Sequence, residues 1–103
     1  MERPICASIR ELRRLRFVYA GCERVVEPYC HGTTAPGNEV LRAVQVGGDT
    51  RGGRRSYGFG KLWVVAKMES VALTDERFEP NDPDYNPNDS AMARIHCRVE
   101  KRR

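Results

Sequence analysis

Leu15-Arg16-Phe17-Val18-Tyr19-Ala20-Gly21-Cys22-Glu23-Arg24-Val25-Val26-Glu27-Pro28 is the stretch on which the fold turns. Phe17 and Tyr19 alternate with Arg16 and Val18, the period of two that belongs to a half-buried strand. Ala20-Gly21-Cys22-Glu23 then reads as a tight turn, and Arg24 to Glu27 as a second extended run. The stretch therefore predicts a β-hairpin. Pro28 has no N–H to give to a ladder, so it marks the end of the second strand or a sheet edge.

Upstream, the period is different. Pro4 suits the first turn of a helix, and Ile5, Ile9 and Leu12 recur at helical spacing with Arg10, Arg13 and Arg14 on the other side. This predicts one amphipathic helix over about 4–14. Downstream, 29–38 carries two glycines and a proline and reads as a loop; Glu39 to Val46 reads as a strand. Gly47 to Gly60, with Arg51-Gly52-Gly53-Arg54-Arg55, reads as a Gly/Arg-rich connection. Lys61 to Met68 is expected to be a strand with an apolar centre, the most buried of the set. Val71 to Thr74 gives another. Prolines and acids make 79–90 irregular. In the last strand, about 92–99, Ala93, Ile95, Cys97 and Val99 face the core and Arg94, His96 and Arg98 form a basic ladder.

These elements add up to one domain over 1–103: helix about 4–14, barrel about 15–78, irregular loop 79–90, last strand about 92–99. The expected fold class is mainly β (α+β), a small, strongly bent β-barrel of five to six strands with an N-terminal helix. A chain of 103 residues and 11.7 kDa has room for one modest core. The longest apolar run, Leu62 to Ala66, is too short to span a bilayer, so no membrane partner is expected. Met1-Glu2-Arg3-Pro4 contains no apolar signal region, which places the protein in the cytoplasm as an expectation.

The net charge of +4 resides in the first half: residues 1–55 carry ten Arg against six acids, and 56–103 carry eight Lys or Arg against eight acids. Such a bias favours an anionic ligand. Four cysteines could form two disulfides, but a reducing cytosol argues against them. Cys30-His31 and His96-Cys97 suggest zinc; neighbours on a strand point to opposite faces, so neither dipeptide aims both side chains at one metal. Structural cysteines, no metal and no cofactor are expected. A phosphate loop fails because Arg54-Arg55 stands where Lys-Ser/Thr is needed, and a calcium loop over Asp82, Asp84, Asn86 and Asn88 lacks its glycine and its glutamate. Cys30 beside His31 is a poor nucleophile pair. A binding protein rather than an enzyme is expected.

Ile5-Cys6-Ala7-Ser8-Ile9-Arg10, Leu15-Arg16-Phe17-Val18-Tyr19 and Arg24-Val25-Val26-Glu27-Pro28-Tyr29 follow one another as at the opening of a WYL domain. Gly37-Asn38-Glu39-Val40-Leu41-Arg42-Ala43, Gln45-Val46-Gly47-Gly48 and Tyr85-Asn86-Pro87-Asn88-Asp89 resemble short standalone bacterial WYL-like proteins. The resemblance implies an Sm-like barrel acting as a ligand- or nucleic-acid-sensing regulatory or accessory module. Where the family has a signature arginine and aspartate, this chain has Val64 and Ala66, leaving Lys67 of the charged set. On this reading Arg16, Tyr19, Arg24, Arg42, Gln45, Lys61 and Lys67 bind an anionic ligand, a single-stranded nucleic acid or nucleotide, with Tyr19 stacking on a base. The alternative is a protein–protein interaction or dimerisation module, with a regulatory protein or a second copy of the chain as partner.

Overall fold

The hairpin forms around a two-residue loop. In the computed structural model, which describes residues 4–48, 61–80 and 85–100, β1 (Arg13–Tyr19) and β2 (Cys22–Thr33) pair antiparallel from Leu15↔Val26 to Tyr19↔Cys22. Ala20 (φ 53°) and Gly21 (φ 77°) connect them. Positive φ at both central positions is the type I′ requirement, whose twist matches that of the flanking strands. Glycine meets it without strain, but alanine places its Cβ against the following carbonyl. Ala20→Gly is therefore expected to stabilise the protein by about 0.5–1 kcal/mol, read as a higher urea midpoint at unchanged slope.

β2 is the spine of the sheet. One edge pairs along its length with β3 (Glu39–Gly48); the other pairs first with β1 and then, from Cys30 to Thr33, with β6 (Arg94–Arg98). The expected end of the strand at Pro28 is corrected. Pro28 sits opposite Ala43 in the register, and Tyr29 is an extra residue bulged out between Pro28 and Cys30. The Tyr29 carbonyl accepts from the Val99 N–H at 2.9 Å. Missing an N–H is harmless where one partner strand gives way to the next, so the strand continues through 29–33, which the glycine content had suggested was loop.

The helix is shorter than its pattern. α1 spans Pro4–Glu11, and Leu12 takes a left-handed φ of 56° that turns the chain into β1. Arg13 and Arg14 are thus strand residues and not part of a helical basic face. Lys61 to Met68 is also broken up: β4 is only Lys61–Val64, followed by a 3-10 turn over Val65–Lys67 and β5 (Glu69–Arg77). Far from being the most buried strand, β4 is the outer one in the order β4-β3-β2-β1-β5. Since β4 and β5 are the two ends of that order, four linking residues hold them within about 18 Å of each other. The sheet is accordingly strongly curled, and no β4–β5 ladder closes it among the described residues.

The concave side holds Leu15, Phe17, Val26, Leu41, Ala43 and Trp63, with Ile5 and Ile9 of α1 packed into the same core. Over the other face of β2 and β3 lies the segment 85–92: Met92 Sδ is 3.5 Å from Cys30 Sγ, and Tyr85 Oη donates to the Val99 carbonyl at 2.7 Å. In β6, Arg94, His96 and Arg98 are exposed and Ile95 and Cys97 half-buried, as expected from sequence. Ala93, expected to face the core, is exposed, and a bulge at His96 interrupts the regular pairing. The expectation of four reduced cysteines is corrected for one pair. Cys6 of α1 and Cys97 of β6 form a disulfide across 91 positions, while Cys22 and Cys30 are free and buried. No helix among the described residues is long and apolar enough to cross a membrane.

Candidate functional site

Strand alternation decides which polar residues reach the open end of the core. On β3, Leu41 and Ala43 are buried, and Gln45 continues the same face toward the strand's end. On β2, Arg24 precedes buried Val26 by two; on β1, Tyr19 follows buried Phe17 by two; on β4, Lys61 precedes buried Trp63 by two. Each of the four is the next position, outward, on a core-facing stripe. They meet at one rim.

There the Arg24 guanidinium donates to the Tyr19 carbonyl at 3.2 Å and to Gln45 Oε1 at 3.3 Å, and lies 5.6 Å from the centre of the Trp63 ring. Lys61 Nζ stands 4.6 Å from the Trp63 ring centre and 5.8 Å from that of Tyr19. The rings themselves are locked edge-to-face, Tyr19 to Trp63 at 4.9 Å and Phe17 to Trp63 at 5.3 Å. Tyr19 Oη accepts the Val64 N–H at 3.1 Å, and Trp63 Nε1 donates to the Ala43 carbonyl at 3.3 Å. Both cations are thus positioned by aromatic faces, an attraction of about 0.5–2 kcal/mol each.

The other three residues expected at the site lie elsewhere. Arg42, an odd number of places from Gln45 on a regular strand, faces the opposite side. Its Nε and Nη2 bind the two Asp89 oxygens at 2.7 and 3.1 Å. Arg16 is exposed and pairs with Glu23 at 3.5 Å. Lys67 is exposed on the 3-10 turn beyond β4. Trp63 is the residue that sequence reading missed, because the apolar run around it suggested core and nothing more. Its spacing of two from Lys61 was the available signal.

Several basic residues outside this rim are neutralised by ion pairs. Arg13, Arg14, Arg16, Arg42 and Arg98 each face a carboxylate. Glu27 and Glu76 push the Arg14 guanidinium pKa further up, against a smaller effect of burial. Among the described residues Arg24 and Lys61 are in no salt bridge, which is also true of Lys67, Arg77 and Arg94; what sets Arg24 and Lys61 apart is that both lie against the same tryptophan ring. The Arg51–Arg55 group joins β3 to β4 in sequence, but it lies outside the described residues.

The Cys30–His31 pair cannot act as a nucleophile and its base. Cys30 points toward Met92 and its thiol is pushed up to about 11, first by burial and then by the Asp89 charge. The His31 ring is turned to the opposite face, toward Glu39. A groove of about 310 Å³ lined by Thr33, Thr34, Ala35, Gly37, Ala93, Arg94 and His96 contains a guanidinium and an imidazole but no Phe, Tyr or Trp. Comparison of the chain with protein-family models, curated proteins and solved structures found no match in any of the three.

Proposed function

We propose that the protein is a ligand-binding module of WYL-like, Sm-like barrel design that takes an anionic ligand, a single-stranded nucleic acid or nucleotide, at the Tyr19–Arg24–Gln45–Lys61 rim. The observation that carries this reading is the convergence of two cations without carboxylate partners on one aromatic cluster. Phosphates pair with Arg24 and Lys61, and Gln45 supplies a polar edge for a base or sugar. Groups held in place before binding lose little entropy when the ligand arrives.

Trp63 is the only tryptophan and lies against both cations, so binding is readable from its fluorescence. A labelled oligonucleotide titrated at 50 and 200 mM salt should bind about sevenfold more weakly at the higher salt, the change for roughly two neutralised phosphates on a single strand. Lys61→Ala and Arg24→Ala should each lower affinity about tenfold, and Arg16→Ala should leave it within a factor of two. Absence of binding at the lower salt refutes the nucleic-acid reading. A mass that rises with protein concentration and ignores oligonucleotide would instead support the interaction or dimerisation module.

A further inference from the structure

At the opposite end of β3 from Gln45, a second polar group lies on the concave face. His31 is directly across from Cys97 in the β2–β6 register, and Cys6 reaches the same point from α1. We propose that Cys6, Cys97 and His31 Nδ1 form a zinc-class divalent metal site when the two cysteines are reduced, and that the disulfide is the metal-free state of the same site.

Three observations support the site. The possible ligand atoms of Cys6, His31 and Cys97 all lie within 4.8 Å of one another. His31 Nδ1 is 3.5 Å from Cys6 Sγ and 3.7 Å from Cys97 Sγ; a tetrahedral zinc with its usual Zn–S and Zn–N bonds sets sulfur and nitrogen about 3.5 Å apart. The other ring nitrogen, Nε2, is held by Glu39 Oε2 at 2.6 Å. A carboxylate on the far nitrogen fixes the tautomer that directs the lone pair of Nδ1 at a metal, the common outer-shell arrangement for ligating histidines. The His31 side chain is 3% exposed, so the ring is kept in this orientation by its surroundings. A disulfide alone would need neither the imidazole nor its carboxylate.

The sequence concealed this site because it takes one member from each Cys/His dipeptide. His96 is the extra residue of a bulge between the His31↔Cys97 and Gly32↔Ile95 pairs, and its Nε2 bonds Thr33 Oγ1 at 2.8 Å. Three protein ligands leave a fourth position for water, as in open zinc sites.

The conversion balances with a dithiol as reductant. The dithiol gives two electrons and two protons, the Cys6–Cys97 bond breaks, two thiols form, and the dithiol closes to its own disulfide. Zn²⁺ then displaces both thiol protons to solvent as the two Zn–S bonds form. The sulfurs must separate to about 3.8 Å, a change that rotation about the two Cα–Cβ bonds can supply.

The experiment compares the unaltered full chain, oxidised and phosphine-reduced, in titrations with Zn²⁺ alone, and records Co²⁺ spectra of both forms. The reduced chain should bind one Zn²⁺ and show thiolate-to-Co²⁺ charge-transfer bands; the oxidised chain should bind none. Glu39→Gln should weaken the metal 10–100-fold, and Cys22→Ala should leave it unchanged. The proposal is overturned if the reduced chain takes up neither metal, if the oxidised chain binds equally well, or if His31→Ala retains full affinity. Because the main comparison uses one sequence in two redox states, a variant that fails to fold does not blunt it, and failure here leaves the Arg24–Lys61 rim untouched.

Discussion

Asp89→Ala should cost the protein about 3 kcal/mol of stability, measured by urea unfolding followed through Trp63 fluorescence. Breaking a buried ion pair at one partner typically costs about 3–5 kcal/mol, because the remaining charge stays in a poorly hydrated place. Here the lower end applies: the Asp89 side chain is 9% exposed but that of Arg42 is 22% exposed, so a stranded guanidinium can turn partly to water. Asp89 has a second task. Its Oδ1 accepts the Ala91 N–H at 3.0 Å and its carbonyl accepts the Met92 N–H at 3.1 Å, which shapes the turn that brings Met92 down on Cys30. A double-mutant cycle with Arg42→Ala should show a coupling of about 1.5 kcal/mol or more; a coupling near zero would mean the pair is only a surface contact.

The same residue fixes a pH dependence. Burial alone would raise the Asp89 carboxyl, but the Arg42 guanidinium and the Ala91 N–H outweigh it and hold the pKa below the ordinary carboxylate value. A carboxyl depressed in the folded state contributes stability that is fully present above its unfolded pKa, about 3.9. That contribution disappears as pH falls from there through the folded value. Asp89→Asn should therefore show a flatter loss of stability below about pH 4 than the parent chain. Equal acid limbs would count against this assignment.

Local chemistry was legible in the sequence, and contacts between distant segments were not. The hairpin could be read because Phe17, Tyr19, Gly21 and Arg24 each report their own backbone state within a few residues. The alternation of the last strand was equally open to inspection. The continuation of β2 past Pro28 was not, since it depends on β6, some 60 residues later, pairing where β1 leaves off. Similarly, Arg42 looked like Arg24 until the Asp89 segment folded over it. Four of seven expected binding residues share one rim because they lie on core-facing stripes. The three outside it lie on an outer face or a turn. Cys6, His31 and Cys97 come from three elements, and nothing in their local sequence announces one another.

Trp63→Ala tests the link between that rim and the core most severely. Trp63 is 1% exposed, packs against Phe17 and Tyr19, and supports both Arg24 and Lys61. Truncation removes the largest side chain in the core and the Nε1 hydrogen bond to the Ala43 carbonyl; the expected loss is about 4 kcal/mol. A domain of this kind holds about 5–15 kcal/mol in all, so the variant should unfold at far lower urea, followed by far-UV circular dichroism since no tryptophan remains. A loss below about 1 kcal/mol would show that this end of the curled sheet is not sealed by Trp63. Trp63→Phe separates packing from recognition. Phenylalanine keeps an edge-to-face neighbour for Phe17 and Tyr19, so stability should fall by only about 1.5 kcal/mol. Its weaker π face, however, holds the Lys61 ammonium and the Arg24 guanidinium less firmly. Oligonucleotide affinity should then drop about three- to fivefold in a folded protein, the result expected if the aromatic cluster serves to position the two cations. Unchanged affinity in Trp63→Phe would leave Trp63 a core residue only, and the cations would then have to bind without its help.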